Sequence, residues 1–116
     1  MSEVGEYVPD RGHIVWLTFD PSAGREQRGR RPAIVLSPSD YNRRVRLALV
    51  CPITSRQKGY PFEVALPIGM GVAGVILVDH VRSVDWTARR AEFAGQAPAP
   101  VLREVVAKLA PLVGTE

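Results

Sequence analysis

Gly12-His13-Ile14-Val15-Trp16-Leu17-Thr18-Phe19, residues 12–19, is the stretch that decides the class of fold. Within it Ile14 and Trp16 alternate with Val15 and Leu17, so both faces of the segment are largely apolar. Alternation with a period of two is the pattern of a β-strand. Because neither apolar face is stable in water, we expect this strand to lie centrally in a sheet or to close a barrel.

Six further segments predict short strands around this one. Most are rich in valine, isoleucine or leucine and are bounded by turn-forming residues. The predicted strands are 32–36, 45–53, 62–66, 72–78, 81–86 and 91–94, with a single helical turn at 39–44. Short strands followed by one terminal helix indicate a mainly β fold, either a small curled antiparallel sheet or a partly open barrel. We expect residues 1–116 to form one such domain.

From about Pro98 the apolar pattern takes on the period of a helix. Apolar residues recur at steps of three and four, at Val101, Leu102, Val105, Val106, Leu109, Leu112 and Val113. Pro98 and Pro100 suit a first helical turn, and Pro111 is expected to weaken or end the last turn. This C-terminal helix is predicted to pack across an open side of the sheet.

Length and composition exclude several classes of protein. The chain has 116 residues, 46% of them apolar, which suits one globular domain. No apolar run approaches the roughly 18 residues of a membrane span, and the first residues lack a signal-peptide pattern. We therefore expect a cytoplasmic protein without a membrane partner. Cys51 is expected to be a buried thiol. His13 and His80 are far apart, and neither has ligand spacing with a cysteine or carboxylate, so we expect no metal site. We also expect no cofactor.

Positive charge is concentrated in three segments of a chain whose formal net charge is +3. The cations are Arg25, Arg28, Arg30 and Arg31, then Arg43, Arg44 and Arg46, then Arg56 and Lys58. Arginines clustered between strands suit a polyanionic ligand such as RNA, and the alternative is a solvated cationic surface.

Polar residues collect on predicted loops beside the buried strands. Glu26 and Arg31 share a charged loop at 25–31, Thr54 and Ser55 begin another, and Asp79 follows the 72–78 strand. Cutting RNA without a metal needs a base for the 2′-hydroxyl, a cation for the phosphate and a proton for the 5′-oxygen. Arginine suits the second task, because its planar fork can grip two phosphate oxygens.

The chain resembles the MazF/PemK/Kid family of toxins over nearly its whole length. The matching blocks are Gly12-His13-Ile14-Val15-Trp16, Phe19-Asp20-Pro21, Gly24-Arg25-Glu26-Gln27, Gly29-Arg30-Arg31-Pro32-Ala33-Ile34-Val35-Leu36-Ser37-Pro38, Tyr41-Asn42, Pro52-Ile53-Thr54-Ser55, Lys58-Gly59-Tyr60-Pro61-Phe62-Glu63-Val64 and Asp79-His80-Val81-Arg82-Ser83-Val84. One block alone is weak, but the arginine–proline block and the threonine–serine block occur in order and at the family's spacing.

The resemblance implies an SH3-like small β-barrel with a C-terminal helix, acting as a homodimer. It implies a metal-independent, ribosome-independent and sequence-specific endoribonuclease that cuts single-stranded mRNA. The products are a 2′,3′-cyclic phosphate and a 5′-hydroxyl. It also implies inhibition by a MazE-like antitoxin within a type II toxin–antitoxin system, whose complex binds its own promoter DNA.

The resemblance carries four catalytic roles onto this sequence. Arg31 matches the family's catalytic arginine and Thr54 its catalytic threonine. Glu26 matches an acidic loop residue that takes the 2′-hydroxyl proton or orients Arg31, and Asp79 matches a carboxylate proposed as general base in the Kid branch. The structural alternatives are a salt bridge between Arg31 and Glu26, a strand-end cap at Thr54, a solvated carboxylate at Glu26 and a structural role for Asp79.

RNA recognition is predicted to use unpaired bases held in a groove. The predicted RNA-binding residues are Ser55, Arg56, Lys58, Tyr60, Phe62, Arg25 and His80. Trp16 and Trp86 lie in apolar patterns and are predicted to be core residues. Four positions depart from the family pattern: Arg25 replaces a histidine or serine, Leu77 replaces the Kid branch's arginine, His80 replaces a common glutamine, and His13 replaces the usual acid.

Two other functions remain open at this point. A CcdB-like toxin shares the fold and poisons a topoisomerase through a protein–protein contact, but it lacks the arginine–proline and threonine–serine blocks. A non-catalytic module would bind RNA or antitoxin without cutting RNA. Incubation of the protein with a long RNA in EDTA distinguishes the enzyme from both.

Overall fold

The central strand predicted at residues 12–19 is confirmed. The computed structural model describes residues 6–19 and 29–114. Strand β1 (His13–Thr18) pairs antiparallel with β2 (Arg30–Val35) on one edge and with β7 (Glu92–Gln96) on the other. Its Ile14 faces one apolar cluster and its Val15 and Leu17 face another, so both faces of the strand are buried.

The remaining elements build an open antiparallel sheet and two helices, as the sequence predicts. In chain order they are helix α1 (Ser39–Val45), strands β3 (Ala48–Thr54), β4 (Glu63–Ala65) and β5 (Val75–Leu77), a 3-10 turn (Val78–His80), strand β6 (Arg82–Val84) and, after β7, helix α2 (Ala99–Val113). Within the described residues the strand order is β4-β5-β3-β2-β1-β7, and β6 pairs with β3 outside this path.

Strand β3 divides its outer edge between two partners. Its first half pairs with β6, from Ala48 opposite Val84 to Val50 opposite Arg82, and its last two residues pair with β5. The opposite edge of β3 pairs with β2. Successive side chains alternate between faces, so Cys51 joins the cluster under α2 while Val50 joins the cluster around Trp86. Cys51 is fully buried, as predicted.

Helix α2 covers one face of the sheet through Val101 and Val105, which are both buried in the core. Its first turn contains Pro100, which confirms the placement of the prolines at the start of the helix. Pro111 lies inside the last turn, and the helix runs two residues beyond it to Val113. Gly114 caps its C-terminus with a φ of 98°. No helix in residues 6–19 and 29–114 is long and apolar enough to cross a membrane.

Several element boundaries differ from the prediction, and three of these differences bear on the site or the strands beside it. The strand at 72–78 is only Val75–Leu77, because the next three residues form the 3-10 turn. The helix at 39–44 extends through Val45, so β3 begins at Ala48. The strand predicted from residue 32 begins at Arg30, which moves Arg31 from the predicted loop onto a strand.

Asn42, a residue of the family match with no predicted role, ties three segments together. It is fully buried, and its side-chain amide donates to the carbonyl oxygens of Pro9 and Ser37, each at 2.9 Å. Its own backbone carbonyl accepts from the Trp86 indole at 3.0 Å. Trp86 is 3% exposed, as predicted for a core residue, whereas Trp16 is only half-buried and packs against the edge of the core.

Candidate active site

A cleft of about 370 Å³ opens where the ends of β1, β2 and β3 meet. We call it the first cleft, and among the described residues it is lined by Trp16, Gly29, Arg30, Arg31, Pro32, Ile53, Thr54, Ser55, Gly71, Val72 and Ala73. It brings together Arg31, Thr54 and Ser55, three residues predicted for the site from two separate parts of the sequence.

The register of the sheet explains why Arg31 and Thr54 meet. Strands β2 and β3 pair antiparallel with Ala33 opposite Pro52. The ladder ends at this pair. Continued by two residues, towards the start of β2 and the end of β3, its register brings Arg31 across from Thr54, and residues opposite each other in a sheet direct their side chains to the same face. The strand pairing therefore delivers a guanidinium and a hydroxyl to one cleft.

The backbone of Thr54 is held on its other edge by β5. Thr54 pairs with Val75, and the preceding Gly74 lies so close that a Cβ there would sit 2.1 Å from the Thr54 carbonyl oxygen. Gly74 also has a φ of 126°, a conformation that side chains disfavour. The Thr54 hydroxyl accepts from the Arg56 amide at 3.2 Å, and a hydroxyl in this role keeps its own proton for donation to a phosphate.

Arg30, beside Arg31, serves the fold. Its guanidinium donates to the Thr18 hydroxyl and to the carbonyl oxygens of Arg90 at 2.6 Å and Trp16 at 3.3 Å, and it pairs with the Glu92 carboxylate at 3.3 Å. These bonds fasten β2 to the segment before β7.

A second cleft, of about 250 Å³, lies beside the first. It is lined by Thr54, Arg56, Lys58, Tyr60, Glu63, Leu77, Asp79 and His80. Five of the predicted site residues besides Thr54 meet here, and Thr54 is the residue that both clefts share. The site is therefore divided in two by one threonine.

Glu63 shapes the loop that forms one wall of the second cleft. Its carboxylate accepts from the backbone amides of Lys58 at 3.1 Å and Gly59 at 2.9 Å. The ammonium of Lys58 lies 5.9 Å from the centre of the Tyr60 ring, and that ring is 61% exposed. The sequence pattern indicates no role for Glu63, since only the folded loop brings its carboxylate to those amides.

The opposite wall is the 3-10 turn that carries Asp79 and His80, both exposed. The turn is tied to the core, because the Val78 carbonyl oxygen accepts from the Cys51 thiol at 3.7 Å. Burial, and secondarily the negative charge of Asp79, raise the pKa of Cys51 to about 12, so this thiol is neutral at physiological pH.

One predicted site residue that the structure describes, Phe62, lies outside both clefts. It is half-buried and packs against the core. Arg25 and Glu26 fall outside the described residues, as does most of the predicted loop at 25–31. Conversely, Trp16 and the segment 71–73 line the first cleft without having been predicted there. Among described residues, no group of three or more histidine, cysteine, aspartate or glutamate side chains could hold a metal ion.

Comparisons with known proteins agree on one family. Residues 10–113 match the model of the PemK-like, MazF-like toxin of type II toxin–antitoxin systems. The endoribonuclease toxin MazF of Escherichia coli K12 is 46% identical over 111 residues, which cover 96% of this chain and 99% of that protein. The E. coli endoribonuclease PemK is 34% identical over 110 residues, covering 90% of this chain and 81% of PemK.

Solved structures agree with the sequence comparisons. MazF from Deinococcus radiodurans is 61% identical with a TM-score of 0.86, covering 95% of this chain and 100% of that one. A chain of the MazE–MazF complex from the same organism is 56% identical with a TM-score of 0.87, covering 96% of this chain and 100% of that one. The chain therefore belongs to the PemK-like, MazF-like toxin family of type II toxin–antitoxin systems.

Proposed function

We propose that this protein is the toxin of a type II toxin–antitoxin system and cuts single-stranded mRNA at specific sequences, independently of ribosomes and metal ions. The observation that carries the proposal is the first cleft, where Arg31 and Thr54 face one space of about 370 Å³. A cation and a hydroxyl donor on adjacent strands match the needs of a phosphodiester that becomes more negative as it reacts.

In the proposed reaction the 2′-oxygen of one ribose attacks the adjacent phosphorus, and the bond from phosphorus to the 5′-oxygen breaks. The base takes the 2′-hydroxyl proton, and an acid supplies a proton to the departing 5′-oxygen. The products are a 2′,3′-cyclic phosphate and a 5′-hydroxyl. No water molecule and no metal ion takes part in this proposed step.

Arg31 is proposed to grip the non-bridging phosphate oxygens and to stabilise their growing charge. A guanidinium stays protonated at neutral pH, so its contribution does not depend on a titration. The hydroxyl of Thr54 is proposed to donate to one of the same oxygens, with Ser55 beside it in the cleft as a further donor.

The proton acceptor is proposed to be a carboxylate. Glu26 and Asp79 are the two that the family resemblance suggests. Asp79 lines the second cleft with Thr54 and does not line the first. A general base must reach the 2′-hydroxyl within a hydrogen bond or one water, so this placement argues against Asp79, and Glu26 is proposed as the base on the strength of the resemblance.

The partners are proposed from the same family. A MazE–MazF complex is among the solved relatives, so we propose that a MazE-like antitoxin binds this toxin in the cytoplasm and blocks the RNA site. We further propose that the toxin acts as a homodimer and that its complex with the antitoxin binds promoter DNA.

Incubation of the purified protein with a long RNA in excess EDTA tests the proposal. We expect discrete fragments whose new 5′ ends are hydroxyls, which a kinase labels without prior phosphatase treatment. An Arg31→Ala variant purified in the same way controls for contaminating ribonuclease. Intact RNA with clear binding would instead support a non-catalytic module, and activity only with a divalent cation would refute metal independence.

A CcdB-like poisoning of a topoisomerase is the second candidate function, and it is the alternative that the sequence leaves open. It requires no cleft that unites a guanidinium with a hydroxyl. Inhibition of a purified topoisomerase with no cleavage of RNA would establish this candidate in place of the first.

A further inference from the structure

The proposed cleavage reaction uses the first cleft and leaves the second without a task. We propose that the second cleft binds one nucleobase beside the scissile phosphate, and that Asp79 selects bases carrying an exocyclic amino group over uracil. This inference rests on the proposed endoribonuclease function and deepens it.

The position of the second cleft follows from Thr54, which lines both clefts. A phosphate bound at the Thr54 hydroxyl in the first cleft has its two flanking nucleotides directly beside that residue. One of them then lies at the mouth of the second cleft. A space of about 250 Å³ falls just below the range of roughly 300–1,000 Å³ typical of drug-sized ligands, which suits a single base.

The second cleft offers a surface on which a base can stack. The Tyr60 ring is 61% exposed, and its loop is held in shape by the Glu63 carboxylate. Leu77 contributes an apolar contact from β5. Aromatic rings of this kind hold unpaired bases in single-stranded RNA, at a strength of ~1–3 kcal/mol for each base. Stacking on Tyr60 explains affinity for a base but does not explain choice among bases.

Asp79 supplies the choice. It is exposed in the second cleft, and none of the residues in 6–19 and 29–114 donates a hydrogen bond to its carboxylate. An ionised carboxylate only accepts hydrogen bonds, so it suits the amino groups of adenine, cytosine or guanine. Uracil has one ring N–H between two carbonyl oxygens, and those oxygens meet the carboxylate unfavourably. His80, next to Asp79, adds a ring N–H that can bind an acceptor on the same edge of the base.

Deep sequencing of a fully randomised RNA cut by the wild type, Asp79→Asn and Asp40→Asn tests the inference. For the wild type we expect uracil to be depleted about tenfold or more at one of the two positions flanking the cut. Asp79→Asn is expected to lose most of that depletion, because an amide can also donate to the carbonyl oxygens of uracil. Asp40 is exposed on α1 and lines neither cleft, so Asp40→Asn removes the same charge without changing the base preference.

A second measurement uses the wild type alone and does not depend on a variant that folds. Two short RNAs differ only in whether adenine or unsubstituted purine, which lacks the amino group, occupies the selective position. We expect the purine RNA to be cut about tenfold more slowly. Equal rates for the two RNAs would overturn the selection of an amino group.

Other outcomes separate the inference from the function on which it rests. A uniform loss of cleavage in Asp79→Asn, with uracil still depleted, would make Asp79 part of the chemistry and overturn its role in selection. Failure of the wild type to cut any RNA would overturn the proposed function itself. A wild type that cuts without preference at both flanking positions would overturn the inference and leave the function intact.

Discussion

The two clefts share Thr54 but are built from different parts of the fold. In the first, Arg31 and Thr54 lie on strands β2 and β3, which pair with each other and with further strands. In the second, the walls are a loop held by one carboxylate and a three-residue turn. Paired strands fix the guanidinium and the hydroxyl of Arg31 and Thr54, whereas loops and turns carry most of the residues proposed for recognition. Such a division lets sequence preference change without disturbing the cleavage geometry.

The largest expected effect comes from Arg31→Ala, which removes the cation of the first cleft. We expect kcat for RNA cleavage to fall by about a thousandfold, the scale seen when one charge-stabilising donor is lost. The Arg31 side chain is exposed, so the midpoint of thermal unfolding is expected to change little. Single-turnover cleavage together with a thermal melt measures both effects.

Arg30→Ala is the matched control for that prediction. Because Arg30 bonds to Thr18, Trp16, Arg90 and Glu92, its loss leaves carbonyl oxygens without their donor. We expect it to lower the free energy of unfolding by ~1–3 kcal/mol. A stable Arg31→Ala variant that still cuts RNA at the wild-type rate would remove Arg31 from the chemistry.

Thr54→Val tests the residue that both clefts share. Valine keeps the shape and the strand preference of threonine but lacks the hydroxyl, so we expect cleavage to slow by about a hundredfold with little change in RNA affinity. Measuring kcat and KM separately distinguishes the effect on the rate of cleavage from the effect on RNA affinity. Ser55→Ala removes a neighbouring hydroxyl, and a smaller loss is expected there. If Ser55→Ala slows cleavage more than Thr54→Val, the roles of the two hydroxyls are reversed.

The fold was predictable wherever apolar residues recur along the sequence with the period of a strand or a helix. The alternation at 12–19 marked β1, and the steps of three and four from Val101 marked α2. The division of β3 between β6 and β5 was not predictable, because it depends on how distant strands meet. The end of the predicted 72–78 strand at Leu77 was not predictable either. Val78 is buried in the 3-10 turn, so its apolar character is the same as that of a strand residue.

The candidate site was predictable by residue type and resemblance, but its division was not. Arg31, Thr54 and Ser55 meet in one cleft, and Asp79 with His80 in the other. The role of Gly74 was not predictable, because it depends on a close approach to the Thr54 carbonyl oxygen, and the residues around Gly74 in the sequence do not indicate that approach. Phe62 looked like a base-stacking residue next to Tyr60, yet it packs inward against the core.

Neutralising the loop of the second cleft is expected to have a smaller effect than either first-cleft change. In Arg56→Gln with Lys58→Gln, we expect RNA affinity to fall about tenfold at physiological salt. The slope of log affinity against log salt should decrease by about 1.4, since each phosphate contact to a single strand contributes ~0.7. Arg43→Gln with Arg44→Gln on α1 is the control, because those exposed cations line neither cleft. An unaltered slope in the Arg56 and Lys58 variant would move the RNA path away from the second cleft.

The smallest effect at neutral pH concerns Cys51, beneath the turn of the second cleft. Its pKa is raised to about 12 in the folded protein, chiefly by burial, against 9.0 for an ordinary thiol. The contribution of the neutral thiol is fully present below pH 9 and is lost as the pH rises from 9 towards 12. Over that window we expect the free energy of unfolding to fall by about 1.4 kcal/mol per pH unit from this group. Urea titrations from pH 8 to 11 measure the fall, and Cys51→Ala subtracts the contributions of lysine and tyrosine.

Because the thiol donates to the Val78 carbonyl oxygen, hydrogen exchange at the 3-10 turn should rise above that of β2 over the same range. Equal pH dependence in the wild type and Cys51→Ala would show that the thiol does not hold this wall in place.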